Sequence, residues 1–104
     1  MLLGVFVTLV IVGASAAEPA QTVIELKAFT FAPTALTVAA GTAVAWKNLD
    51  PEPHTVASLD GAFRSGALDQ GDSFTFTFAK PGTYRYVCSI HPQMTGTIIV
   101  TARP

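Results

Sequence analysis

The 104-residue chain has one cysteine, two histidines and charged side chains at only 12% of positions. A single cysteine excludes an internal disulfide, a cysteine-only zinc site and a two-thiol redox motif. The formal net charge of -1 gives no electrostatic footprint for nucleic acid or an anionic membrane surface. The length suits one domain and excludes a multidomain enzyme or a long repeat array in this stretch. After Glu18 there is no internal repeat, low-complexity tract or charge run, and no segment sustains a helical period with caps.

What is present begins with an apolar N-terminus. Residues 1–13 read MLLGVFVTLVIVG without a charged side chain, and Ala14-Ser15-Ala16-Ala17 follow. An apolar run leaving through small residues at A-x-A spacing is the pattern of a secretory signal peptide, with cleavage expected after Ala16 or Ala17. The competing reading is an uncleaved anchor, but a spanning helix needs about 20 apolar residues. Gly4, Thr8, Gly13 and Ser15 interrupt this one. The expectation is a leader over 1–17 and one domain over 18–104, exported to the periplasm or another extracytoplasmic space. Without the leader the apolar fraction falls from 50% to about 45%, ordinary for a soluble domain. So small a domain without a disulfide has a marginal core, and a bound metal is one way to stabilise it.

The body of the chain predicts strands. Residues 73–78 (SFTFTF) place Phe74, Phe76 and Phe78 on one face with a strict period of two. A helix cannot make one apolar side from that pattern. Residues 22–28, 35–38, 42–48, 83–88 and 96–101 are short runs rich in aromatic or β-branched residues, or alternating in polarity. Val44 and Trp46 share a face, and with the three phenylalanines they are expected in the core. The stretches 49–53 and 59–70 are punctuated by proline, glycine or aspartate and read as loops. Seven or eight strands between turns predict an all-β, antiparallel sandwich or barrel.

The chemistry lies in two segments. Cys88, His91 and Met94 follow at i, i+3 and i+6, and a tight loop of that spacing can turn all three donors to one point. The second histidine, His54, lies 34 residues before Cys88 in Pro53-His54-Thr55-Val56. If the two segments meet, the donors are two imidazoles, a thiolate and a thioether. Zinc takes a thioether poorly, and calcium and magnesium need oxygen ligands. The set matches a trigonal His2Cys copper site with a weak axial methionine. Each residue also has a simpler role: a core methionine, a solvated loop histidine, a small buried thiol. An exported free thiol, however, is exposed to oxidation unless something holds it.

These residues carry a family resemblance. The chain resembles the cupredoxins, and among them the plastocyanin and amicyanin group of small blue copper proteins. The likeness runs through Phe29-x-Phe31-x-Pro33, Leu36-x-Val38, Gly41, Val44-x-Trp46-x-Asn48 and Pro53-His54. It resumes at Phe74-x-Phe76, Pro81-Gly82-x-Tyr84-x-Tyr86-x-Cys88, His91-Pro92-x-Met94-x-Gly96 and Ile98-x-Val100. The Cys-x2-His-x2-Met spacing is of the amicyanin kind. The resemblance implies a Greek-key β-sandwich of cupredoxin type with one copper ion at one end. It implies His54, Cys88 and His91 as equatorial ligands and Met94 as the axial one. It further implies a monomeric one-electron carrier, not an enzyme, that docks transiently with redox partner proteins near a solvent-facing His91. One departure concerns Thr55, where the family often has an asparagine that ties the two ligand loops together. A hydrogen bond from Thr55 to the loop at Ser89 is the expected substitute.

Three rival readings remain at the level of sequence. A copper storage or delivery protein would use the same four ligands. A cysteine-nucleophile enzyme built on Cys88 and His91 would need a third group to orient the base and an oxyanion site, and no such constellation is evident. A metal-free interaction module would leave the four donors without a use.

Overall fold

The computed structural model describes Gly4 and residues 21–103. The expected leader lies outside the described residues apart from Gly4, and no described helix is long and apolar enough to cross a membrane. Eight strands follow one another: β1 (Gln21–Lys27), β2 (Thr30–Ala32), β3 (Ala35–Ala39), β4 (Thr42–Asn48), β5 (Ala57–Ser58), β6 (Ser73–Phe78), β7 (Gly82–Val87) and β8 (Thr95–Thr101). They form two four-stranded sheets, in the orders β2-β1-β4-β6 and β3-β8-β7-β5.

Alternation decides which side chains face inward. In β1, Ile24 and Leu26 are fully buried, whereas Val23 beside Ile24 faces out and is half exposed. In β8, Ile98 and Val100 are buried while Ile99 faces out. Removing such apolar surface from water stabilises the fold by about 25 cal/mol per Å2. Trp46 is wholly buried at the centre, among Phe63, Phe74, Phe78 and Tyr86, with ring centroids 5.4–6.2 Å away.

Two expectations need correction. The sandwich is mixed, since β1 pairs with β4 and β3 with β8 in parallel. The chain crosses to the other sheet at β3 before returning to β4, so β4 re-enters beside β1 in the same direction. Phe74 and Phe76 are also only half-buried, unlike Phe78. They sit on β6, the edge strand of its sheet, where one flank lacks a covering neighbour.

The site depends on what the strand ends do. β4 ends at Asn48 and opens the loop that carries His54, while β7 ends at Val87, directly before Cys88. The backbone N–H of Thr55 donates to the Cys88 sulfur at 3.3 Å, which brings both loops to one end of the sandwich.

Candidate metal centre

The first loop is organised by Asn48, which is fully buried. Its side-chain amide donates to the carbonyls of Glu52 (2.9 Å) and Leu68 (2.8 Å). Its Oδ1 accepts from the Asp50 backbone N–H at 2.9 Å. The His54 backbone is pinned from both sides, donating to Leu68 O (3.1 Å) and accepting from Leu68 N–H (2.7 Å). Pro51 and Pro53 add fixed φ values to this short stretch. The imidazole of His54 is therefore set by a rigid frame and is wholly buried.

The second loop spans Cys88 to Met94 between β7 and β8. Met94 N–H donates to His91 O (2.9 Å), and Cys88 N–H donates to Met94 O (3.1 Å). These two bonds close a compact hairpin. Cys88 and Met94 are buried in it, while His91 is partly open to solvent. Thr55 joins the two loops. Its Oγ1 accepts the Ser89 backbone N–H (2.7 Å) and lies 2.6 Å from Ser89 Oγ. The tie between the loops expected of Thr55 is thus present.

The donors converge. His54 Nδ1 lies 3.2 Å from His91 Nδ1, and the Cys88 sulfur lies 3.9 and 3.8 Å from those two nitrogens. One donor atom from each of the three residues lies within 4.8 Å of the others. Met94 sits at the base of the same hairpin, its backbone bonded to both Cys88 and His91.

The electrostatics suit a thiolate. Burial opposes ionisation of Cys88, but the Thr55 backbone N–H, the His91 backbone and ring, and the Ile90 backbone outweigh it. Together they push the thiol down to about 6. A buried thiolate held against two imidazole nitrogens is a soft, closely spaced donor set, and it fits copper.

Two residues of the surround were not assigned a role from sequence. Phe29 stands edge-on to both imidazoles, at ring centroids 5.2 Å from His54 and 5.0 Å from His91. Asp50 accepts from His54 Nε2 at 2.8 Å. Burial raises the Asp50 carboxyl, but the Phe29 backbone N–H, His54 and the Ala28 backbone N–H together hold it below the usual carboxylate range. An aspartate four residues before a candidate ligand was the available signal. Its meaning depends on the loop folding back, which spacing alone does not reveal.

Known proteins resemble this chain in sequence and in fold. Residues 1–100 match the family model described as "Cupredoxin-like domain". The amicyanin of Paracoccus versutus is 37% identical over 70 residues, covering 62% of this chain and 53% of that protein. The chain thus spans about half the length of that relative. The plastocyanin of Daucus carota is 31% identical over 87 residues, covering 71% of this chain and 90% of that protein. Among solved structures, the copper-containing nitrite reductase of Thermus scotoductus superimposes with a TM-score of 0.78 at 34% identity. The match covers 89% of this chain and 25% of that enzyme. Fold, donor set and relatives together place the chain in the cupredoxin family, among the blue copper proteins of amicyanin and plastocyanin type.

Proposed function

We propose that the chain is a blue copper electron carrier in which His54, Cys88, His91 and Met94 hold one copper ion. The observation that carries this reading is the convergence of His54 Nδ1, His91 Nδ1 and a buried, easily ionised Cys88 sulfur. When bound, the metal supplies one-electron exchange between Cu(I) and Cu(II). The protein's part is to keep the donors still. The His54 loop is braced by Asn48 and Leu68, the Cys88 hairpin by its own backbone, and Thr55 joins the two. Donors that hardly move between the two charge states leave little to reorganise when an electron passes. Phe29 and the buried flank of His54 keep water from that side.

His91 is the only one of the four that is partly solvent-exposed, so its edge is the exit for the electron. Phe29 and Ile90 are exposed, at 39% and 47%, and Pro92 is exposed too. Ser89 and Gln93 are exposed but uncharged, so this surround is mostly apolar, and with a net charge of -1 long-range steering is weak. Docking of a redox partner there is transient. Its association rate changes little with ionic strength; a steep salt dependence would contradict an apolar docking face.

The reading includes residues 1–17 as a removed leader, 18–104 as the copper domain, and an extracytoplasmic place of work for a monomer. The test is to load the protein with Cu(II), record visible and EPR spectra, and then cycle it with reductant and oxidant. An intense blue band and repeated cycling without metal loss are expected. Well-folded, copper-loaded protein with no such band overturns the site. Release of Cu(I) to an acceptor on reduction would assign delivery instead. The nitrite reductase match means that this fold also occurs as part of an enzyme, so nitrite turnover by the loaded protein would contradict a carrier role.

Pro92 sets part of the potential. It follows His91 directly and has no N–H to give the Cys88 sulfur. An added N–H···S bond makes the sulfur a poorer donor, which favours Cu(I). Pro92→Ala is therefore expected to raise the midpoint. A bond worth about 1.4 kcal/mol more in the reduced state corresponds to about 59 mV. An unchanged or lower midpoint in voltammetry would refute this.

A further inference from the structure

Asp50 is a buried carboxylate without a lysine or arginine in ion-pair distance among the described residues; its one charged-type contact is His54. A lone ionised carboxylate is costly to bury unless hydrogen bonds replace its water. Here each oxygen is occupied. Oδ1 accepts the Ala28 backbone N–H at 2.8 Å. Oδ2 accepts the Phe29 backbone N–H at 2.9 Å and His54 Nε2 at 2.8 Å. Its own backbone N–H is held by Asn48 Oδ1. Ala28 and Phe29 both have left-handed backbone, with φ of 52° and 57°. Non-glycine residues rarely adopt it, and two in succession require compensation. The two N–H bonds to Asp50 provide it.

An ionised carboxylate only accepts, so the proton between Asp50 and His54 belongs to Nε2. In a neutral imidazole, Nδ1 is then the bare nitrogen, and Nδ1 is the atom that faces His91 and Cys88. A hydrogen bond from a ligand imidazole to a carboxylate fixes its tautomer and orientation and raises its basicity. Among the described residues Asp50 is the one carboxylate bonded to any of these donors.

Resting on the copper reading above, we propose that Asp50 is the positioning residue of the centre. It locks His54 with Nδ1 bare toward the metal, and its buried charge favours Cu(II) over Cu(I), lowering the midpoint. The same carboxylate seats Phe29 against both imidazoles, so one side chain sets a ligand and its cover.

The test compares copper-loaded wild type with Asp50→Asn by voltammetry and visible spectroscopy. The blue band is expected in both, because all four donors remain. The midpoint is expected to rise. Removal of a supporting partner typically costs 10- to 100-fold in metal affinity, and each tenfold loss confined to Cu(II) is about 59 mV. A purely structural role would disturb stability or the band without a systematic rise. A retained band with an unchanged or lowered midpoint overturns the proposal. Should the variant fail to fold or to hold copper, 15N NMR of Cu(I)-loaded wild type decides the matter. A His54 Nε2 proton protected from exchange supports the assignment; a solvent-exchanging Nε2 overturns it. Wild type that binds Cu(II) without a blue band removes the copper reading itself, and this proposal with it, an outcome recognisable before any variant is made.

Discussion

Cys88→Ser protein, loaded with Cu(II), is expected to be colourless where wild type is intensely blue. The band arises from charge transfer between a thiolate and the metal, and the chain has one thiol. Serine cannot replace it, because its hydroxyl stays protonated where Cys88, pushed down to about 6, is already largely thiolate. The loss of affinity should exceed the roughly 10- to 100-fold that removal of a mere supporting partner costs. Stability offers a second readout. A ligand at a thousand times its Kd stabilises by about 4 kcal/mol, so copper should raise the melting temperature of wild type and hardly that of the variant. The metal-free proteins should melt alike to within about 1 kcal/mol, since the Thr55 N–H that meets the sulfur can meet a serine oxygen. A variant that keeps the blue band would remove Cys88 from the site. A variant whose metal-free form is unfolded would leave its lost colour attributable to folding, and thermal melts separate the two.

How much of this was legible in the sequence differs by feature. Strands with a clear period of two or a β-branched run were readable, and six of the eight lie within two residues of the expected bounds. The missed pair, β2 and β5, have three residues and two, too short for alternation to register. Phe63 was equally hidden. It lies in a stretch rich in turn residues, yet it is buried and stacks on Trp46 at 5.4 Å. A single aromatic in a loop has no periodic partner to announce which way it faces.

The centre was legible for a chemical reason. Thiol, imidazole and thioether are scarce in this chain, and three of them fall within seven residues. Scarce donors at close spacing carry information that abundant residue types do not. Asp50 is one of only seven acidic residues, but carboxylates have many roles, and nothing local marks this one. Its bonds reach 22 and 21 residues back to Ala28 and Phe29. Only the folded chain shows that the two oxygens that accept the backbone N–H groups of Ala28 and Phe29 also meet the imidazole of His54.

Gly96→Ala is expected to cost the metal-free protein about 3 kcal/mol or more, at or beyond the upper end of ordinary overpacking. Gly96 pairs with Tyr86 across β7 and β8, and the tyrosine ring lies directly over it. A Cβ at Gly96 would stand 2.7 Å from Tyr86 Cε1 and closer still to Cζ and the hydroxyl oxygen. The ring has nowhere to retreat, being packed against Phe31 at 4.7 Å and Trp46 at 5.5 Å and almost fully buried. Burial also pushes the phenol up to about 12, in keeping with a ring enclosed by apolar neighbours. Small domains retain only about 5–15 kcal/mol in total, so the loss should appear as a large drop in the urea midpoint. The strain also reaches the centre, because Met94 lies two residues before Gly96 and β8 continues from it. A shifted or weakened blue band should accompany the loss of stability. Tyr86→Phe supplies the contrast. The Tyr86 hydroxyl and Trp46 Nε1 are buried side-chain polar atoms without hydrogen-bond partners. Deleting the hydroxyl should therefore leave stability unchanged or raise it by about 1 kcal/mol. It should not rescue Gly96→Ala, because the ring carbons still occupy the space of the new methyl group. A Gly96→Ala protein within about 1 kcal/mol of wild type would mean that the ring swings aside, and that the close approach of β8 to Tyr86 is not what requires glycine there.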